Sequence, residues 1–120
     1  MSDITRFEVS TRLSRAAVYQ GLVFIGGTTP DDRTQEIKGQ TAQALKKIDK
    51  LLADAGTDKS RLLSAQIWLA DIERDIGGMN KVWMSWTAPQ AAPTRATAQV
   101  KFASKDLLVE ITVTAAGATI

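Results

Sequence analysis

At 120 residues and 13.0 kDa the chain, read as one domain over 1–120, is long enough to bury a single core. Its 15 basic and 13 acidic residues leave a net charge of +2, too small to attract a polyanionic partner. There is no cysteine and no histidine, which excludes disulfides, thiolate nucleophiles, imidazole bases and the usual zinc ligands. Any general acid or base is therefore a carboxylate, Lys, Tyr or the backbone.

The N-terminal residues Asp3, Arg6 and Glu8 put charges where a signal peptide needs an apolar run. No stretch approaches the ~20 apolar residues of a membrane helix, so a cytoplasmic protein without a membrane partner is expected. Residues 4–8 alternate apolar and polar and predict a first strand. Two short apolar runs flank Gln20-Gly21, a tight-turn pair, and predict a hairpin of strands over 16–19 and 22–27. A helix follows from Gln35 to Ala55. Ile37, Ala44, Leu45, Ile48, Leu51, Leu52 and Ala55 form its buried stripe, with Thr41 at the edge of that stripe. Gly56 is the expected stop.

Leu62 to Ala70 predicts a strand, and Ile76 to Trp86 a second helix. Pro89 and Pro93 bound the next loop. Arg95–Phe102 and Leu107–Ala115 read as two strands joined as a hairpin by Ala103-Ser104-Lys105-Asp106. The order predicts an α+β domain, a mixed sheet with two helices packed on one face. Strand alternation sends Ala96, Ala98, Val100 and Phe102, with Val109, Ile111, Val113 and Ala115, toward the helices. The opposite set is Arg95, Thr97, Gln99 and Lys101, with Leu108, Glu110, Thr112 and Thr114; Ser64, Gln66 and Trp68 join it from the middle strand. A face rich in Thr, Gln, Ser and Trp with few charges suits an interface between subunits. A solvated face of a monomer is the plainer reading.

Chemistry-bearing residues are few. Arg95 follows Pro93-Thr94 at a strand start; it reads as a planar clamp for a carboxylate or as a surface arginine in an ion pair. Glu110 interrupts an apolar strand and reads as a solvated carboxylate, a structural ion-pair partner or a general base. Gly26-Gly27-Thr28-Thr29 lacks the Gly-Lys-Ser/Thr and Gly-x-Gly-x-x-Gly patterns of phosphate loops, so it reads as a strand-ending turn. Lys46, Lys47 and Lys50 lack interleaved aromatics and form a solvated helix face, with no nucleic-acid site. Trp68, Trp83 and Trp86 read as core or interface residues.

Three segments, AAVYQGLVFIGGTTP (16–30), QTAQALKKIDKLLADAGTDKSRLLSAQIWLADI (40–72) and APTRATAQVKFASKDLLVEITVTA (92–115), resemble the Rid (YjgF/L-PSP) family of reactive intermediate deaminases. The resemblance runs from about residue 13 to Ala115, and the Arg95-to-Glu110 spacing is its most specific part. It implies a chorismate-mutase-like fold and a homotrimer with a ligand site in each cleft between subunits. It also implies hydrolysis of 2-imino acids and their enamine tautomers to 2-keto acids and ammonia, with no cofactor or metal. Arg95 would grip the substrate carboxylate, Glu110 would position the water, and backbone groups at Gly27 and Thr97 would complete the pocket.

Leu13 stands where many members have a tyrosine. Gly26, Thr28 and Thr97 also replace the residues usual there, and Arg15 adds a charge near the pocket wall. Two other functions fit the same scaffold: a non-catalytic regulator that binds a small carboxylate, and the ribonuclease or translation-inhibitor activity attributed to some relatives. The absence of histidine and the weak basic balance argue against the second.

Overall fold

The Gln20-Gly21 pair makes the turn expected of it. Gln20 and Gly21 take φ values of 49° and 78°, the two consecutive left-handed residues that let a two-residue hairpin loop match strand twist. They join β2 (Ser14–Tyr19) to β3 (Leu22–Thr28). In the computed structural model, which describes residues 3–117, β1 (Thr5–Val9) pairs antiparallel with β2. Then come α1 (Ile37–Asp54), β4 (Leu62–Leu69), α2 (Ile72–Trp86), β5 (Thr94–Gln99) and β6 (Val109–Ala116). The six strands form one mixed sheet in the order β1-β2-β3-β6-β4-β5.

Both helices cover one face of this sheet. Val23, Ile25, Ala65, Ile67, Leu69, Val109, Ile111, Val113 and Ala115 meet the α1 stripe there and are excluded from water. Thr41 lies in the middle of that stripe rather than at its edge, fully buried. α2 begins at Ile72, a turn earlier than its apolar pattern, because Asp71 caps it by accepting from the Arg74 N–H at 3.1 Å. No helix among the described residues is long and apolar enough to cross a membrane.

Two expectations about β5 fail together. It does not form a hairpin with β6; it pairs in parallel with β4, which separates the two. A strand, a helix and a second parallel strand make a crossover unit, and β4-α2-β5 is one. The alternation of β5 is also inverted. Its register sets Arg95 beside Ala65, Thr97 beside Ile67 and Gln99 beside Leu69, all on the helix face. Ala96 and Ala98 sit beside Gln66 and Trp68 on the other face.

Polar contacts to α2 account for this choice. Gln99 Oε1 accepts from the Ile72 N–H at 3.0 Å, and Arg95 Nη1 donates to Asn80 Oδ1 at 2.8 Å. From Ile72 to Asn80 the helix rises roughly 12 Å, and from Arg95 to Gln99 the strand spans roughly 13 Å. The two elements therefore run antiparallel with matched spacing, and the polar alternate of β5 faces the helix.

Candidate functional site

Glu110 is the second residue of β6, directly across from Trp68 on the open face of the sheet, away from the helices. Its strand start is pinned from both sides. Leu108 N–H donates to Gln40 Oε1 at 2.9 Å, while the Leu108 carbonyl accepts from Ala70 N–H at 3.0 Å. Gln40 is fully buried in α1, and its Nε2 also donates to the carbonyls of Asp106, Gln35 and Arg33. A buried amide needs such partners, since each one left unmade costs about 1–3 kcal/mol. The apolar stripe gave no sign of Gln40, because a polar residue inside it reads as an interruption.

The Glu110 side chain lies against the backbone of Gly27 in β3. A Cβ built on Gly27 would stand 3.0 Å from Glu110 Cδ and closer still to Oε2. Glycine at 27 is thus the condition for this position of the carboxylate. Among the described residues the carboxylate has no hydrogen-bond or ion-pair partner, which removes the structural ion pair as its explanation.

Arg95 occupies the start of β5, the edge strand, and reaches α2. Besides its bond to Asn80, its Cζ lies 5.8 Å from the centre of the Trp83 ring. It too has no ion-pair partner among the described residues, so the salt-bridge reading of Arg95 fails. Thr97 shares its face, and its hydroxyl is buried with no hydrogen-bond partner among the described residues.

The remaining expected site residues divide. Leu13 lies in the turn before β2, where it is 51% exposed. The start of β2 runs beside Gly26, since a Cβ there would meet the Ser14 and Arg15 carbonyls at 3.6 Å, so Leu13 arrives at the Gly27 end of the sheet. Arg15 turns instead toward α1. Its Nε lies 3.9 Å from Glu8, and it lines a charged groove with Asp31, Lys47 and Lys50. In that groove Lys47 donates to Asp31 at 2.9 Å and holds its carboxyl below the usual aspartate range.

One chain therefore brings Glu110 to Gly27, and Arg95 to Thr97, but does not bring the two pairs together. Arg95 shares a row with Ala65 and Val113, while Glu110 shares one with Trp68. That separates them by roughly 10 Å along the strands and roughly 10 Å across them, on opposite faces. At the β4–β5 edge the open face holds a trough of about 460 Å³ lined by Ser64, Ala65, Gln66, Thr94, Arg95, Ala96, Thr112 and Thr114; Arg95 thus borders it, and Glu110 does not. Around it stand Tyr19, Leu22, Phe24 and Trp68, each 37–44% exposed. Sequence reasoning picked out Trp68 but passed over this aromatic and aliphatic cluster on β2 and β3, which was legible from strand alternation.

A six-stranded mixed sheet with two helices on one face is the fold of YjgF-family proteins, and here it carries, among the described residues, an unpaired carboxylate over a glycine and an unpaired arginine at the sheet edge. The family described as Endoribonuclease L-PSP matches residues 3–117, and the chain belongs to it. A RutC family protein of Haemophilus ducreyi is 42% identical, over 94% of this chain and 96% of its own. The RutC family protein YoaB of Escherichia coli is 34% identical over 94% and 97%. A YjgF-family structure from Neisseria meningitidis superposes with a TM-score of 0.94 at 36% identity, covering 98% of each chain. A Salmonella typhimurium structure named for translation-initiation inhibition does so with a TM-score of 0.86 at 33% identity, covering 95% of this chain and 97% of its own.

Proposed function

We propose that the protein hydrolyses 2-imino acids and their enamine tautomers to 2-keto acids and ammonia, at sites shared between the copies of a homotrimer. The observation that carries this reading is the division of the site. Among the described residues neither Arg95 nor Glu110 has an ion-pair partner, and the strand register sends their side chains off opposite faces of one sheet. Each needs a complement from outside its own chain, and a second copy offers both. The weakly charged open face of each copy is the surface on which they would meet.

The chemistry suits a chain without histidine or cysteine. An imine carbon is already electrophilic. Arg95 would hold the substrate carboxylate with two parallel N–H donors, which fixes the carbon relative to Glu110 of a second copy. Glu110 would take a proton from water as its oxygen adds to the C=N carbon. That proton goes to nitrogen to give the carbinolamine; Glu110 then carries the hydroxyl proton to nitrogen as the C–N bond breaks, so ammonia leaves and the C=O of the keto acid forms. Water is the only co-reactant. In the regulator alternative, Arg95 binds the carboxylate and no turnover follows. The names of the family and of the Salmonella relative supply the ribonuclease and translation readings, which the lack of a histidine base disfavours.

An oxidase that generates 2-iminobutyrate or 2-iminopropionate in situ supplies the substrate, and keto-acid release above the spontaneous rate is the readout. Glu110→Gln keeps the shape and removes the base, so turnover should fall ~10²–10⁴-fold while keto-acid binding survives. Arg95→Lys should be strongly impaired, since an ammonium lacks the two-pronged donor set. Wild-type protein that binds keto acids through Arg95 but accelerates no imine would establish the regulator instead.

A further inference from the structure

The guanidinium of Arg95 rests in a holder built from α2. Asn80 Oδ1 accepts from Nη1 at 2.8 Å, and the Trp83 ring lies under Cζ at 5.8 Å. These two residues are three apart on the helix and so rise from one side of it. Trp83 is 5% exposed, and its ring packs at 5.4 Å from that of Trp86. Trp86 is tied in turn by its Nε1–H to Asp49 of α1 at 2.9 Å. Rigid support thus runs from α1 through two indoles to the arginine.

What distinguishes this holder is its charge. The described ion pairs engage Arg15, Arg33, Lys47, Lys50 and Arg74, each with a carboxylate. Arg95 is held by a neutral amide and a ring face instead. Guanidinium has five N–H donors; Asn80 takes one and the ring takes none. Donors enough for a bidentate carboxylate remain, with the full positive charge uncompensated. An aspartate in the same place would hold the arginine more tightly and cancel the charge the ligand needs.

We infer that Asn80 is a positioning residue for ligand binding: a neutral holder that orients Arg95 at the β5 edge while leaving its charge for an incoming carboxylate. The inference rests on the carboxylate-clamp reading of Arg95, and its test separates the two. Isothermal titration of the full chain with 2-oxobutanoate compares wild type, Asn80→Asp, Asn80→Ala and Arg95→Ala. Asn80→Asp is nearly isosteric and sets a competing carboxylate beside Nη1. It should weaken binding about tenfold or more, with a thermal midpoint equal to or above wild type. Asn80→Ala removes the holder without a competitor and should weaken binding a few-fold; it also answers for Asn80→Asp if that variant fails to fold.

Wild-type affinity in both Asn80 variants, with binding lost in Arg95→Ala, would overturn the inference and leave the clamp standing. Affinity and thermal midpoint falling together in both would make Asn80 merely structural and overturn it as well. Failure of wild type itself to bind 2-oxobutanoate would overturn the clamp reading and the inference with it.

Discussion

The two faces of the sheet are cut from the same strands and put to opposite uses. On the helix face, Ile67, Val109 and Ile111 are wholly shielded and their neighbours fill the space between strand and helix. On the open face, the alternate residues of the same strands are Gln66, Trp68, Glu110 and Thr112, and none is fully buried within one chain. The first face spends its residues on stability. The second keeps its carboxylate unpaired and its large apolar side chains half uncovered, a cost that makes sense where something else covers them. β5 is the exception that links them: its polar alternate faces α2, and it carries Arg95 around to the sheet's edge.

Substitutions can break this contrast at three depths. The largest effect belongs to Ile67→Ala on the helix face. Removing a fully buried isoleucine between β6 and the helices should cost ~2–5 kcal/mol of unfolding free energy, read by chemical denaturation. A cost below about 1 kcal/mol would deny that this face is the core. The next is Gly27→Ala, where φ lies outside the left-handed region, so the clash that decides the outcome is the methyl's against the Glu110 side chain. Folding should survive while imine turnover falls by ~10²-fold, the scale of a displaced acid–base group. An active variant would show that the position of Glu110 over Gly27 is dispensable. The smallest effect on the chain itself is expected from Thr112→Lys at the centre of the open face. Its cost to the folded protomer should stay within about 0.5 kcal/mol, yet sedimentation should show the proposed homotrimer dispersed. If the assembly persists, the open face is not where copies meet.

Much of this arrangement was legible in the residues, and what was missed has a physical reason. The α1 stripe, the Gln20-Gly21 turn and the weakly charged open face follow from periodicity and turn chemistry, which are local. β5 misled because alanine fits either face of a sheet. In Thr94–Gln99, apolar alternation made Ala96 and Ala98 look inward, whereas polar contacts to Asn80 and Ile72 decided the register. The loop from Ala103 to Asp106 looked like a hairpin because it is short, but it carries the chain past β4 to the middle of the sheet. Arg95 and Glu110 stand out by residue type and place in their strands, and the resemblance supplies their roles; their lack of ion pairs among the described residues, the fact that favours a ligand, depends on neighbours distant in sequence. Asn80 left no signal at all, since its role exists only once the face of β5 is known.

The position of β6 has a consequence for how the protein is made. It is the last described strand to leave the ribosome, yet it lies between β3 and β4. Until it emerges, the β1–β3 hairpins with α1 and the β4-α2-β5 unit each present a bare strand edge to the other, with no strand to join them. Such edges invite pairing with neighbouring nascent chains, and the contacts that finally close the sheet are long-range and slow to form. Glu110 rides on that closing strand and takes its place over Gly27 only as the gap is filled. Completion of the fold and assembly of the carboxylate half of the site are therefore a single event, and a partly synthesised or clipped chain cannot carry half an activity.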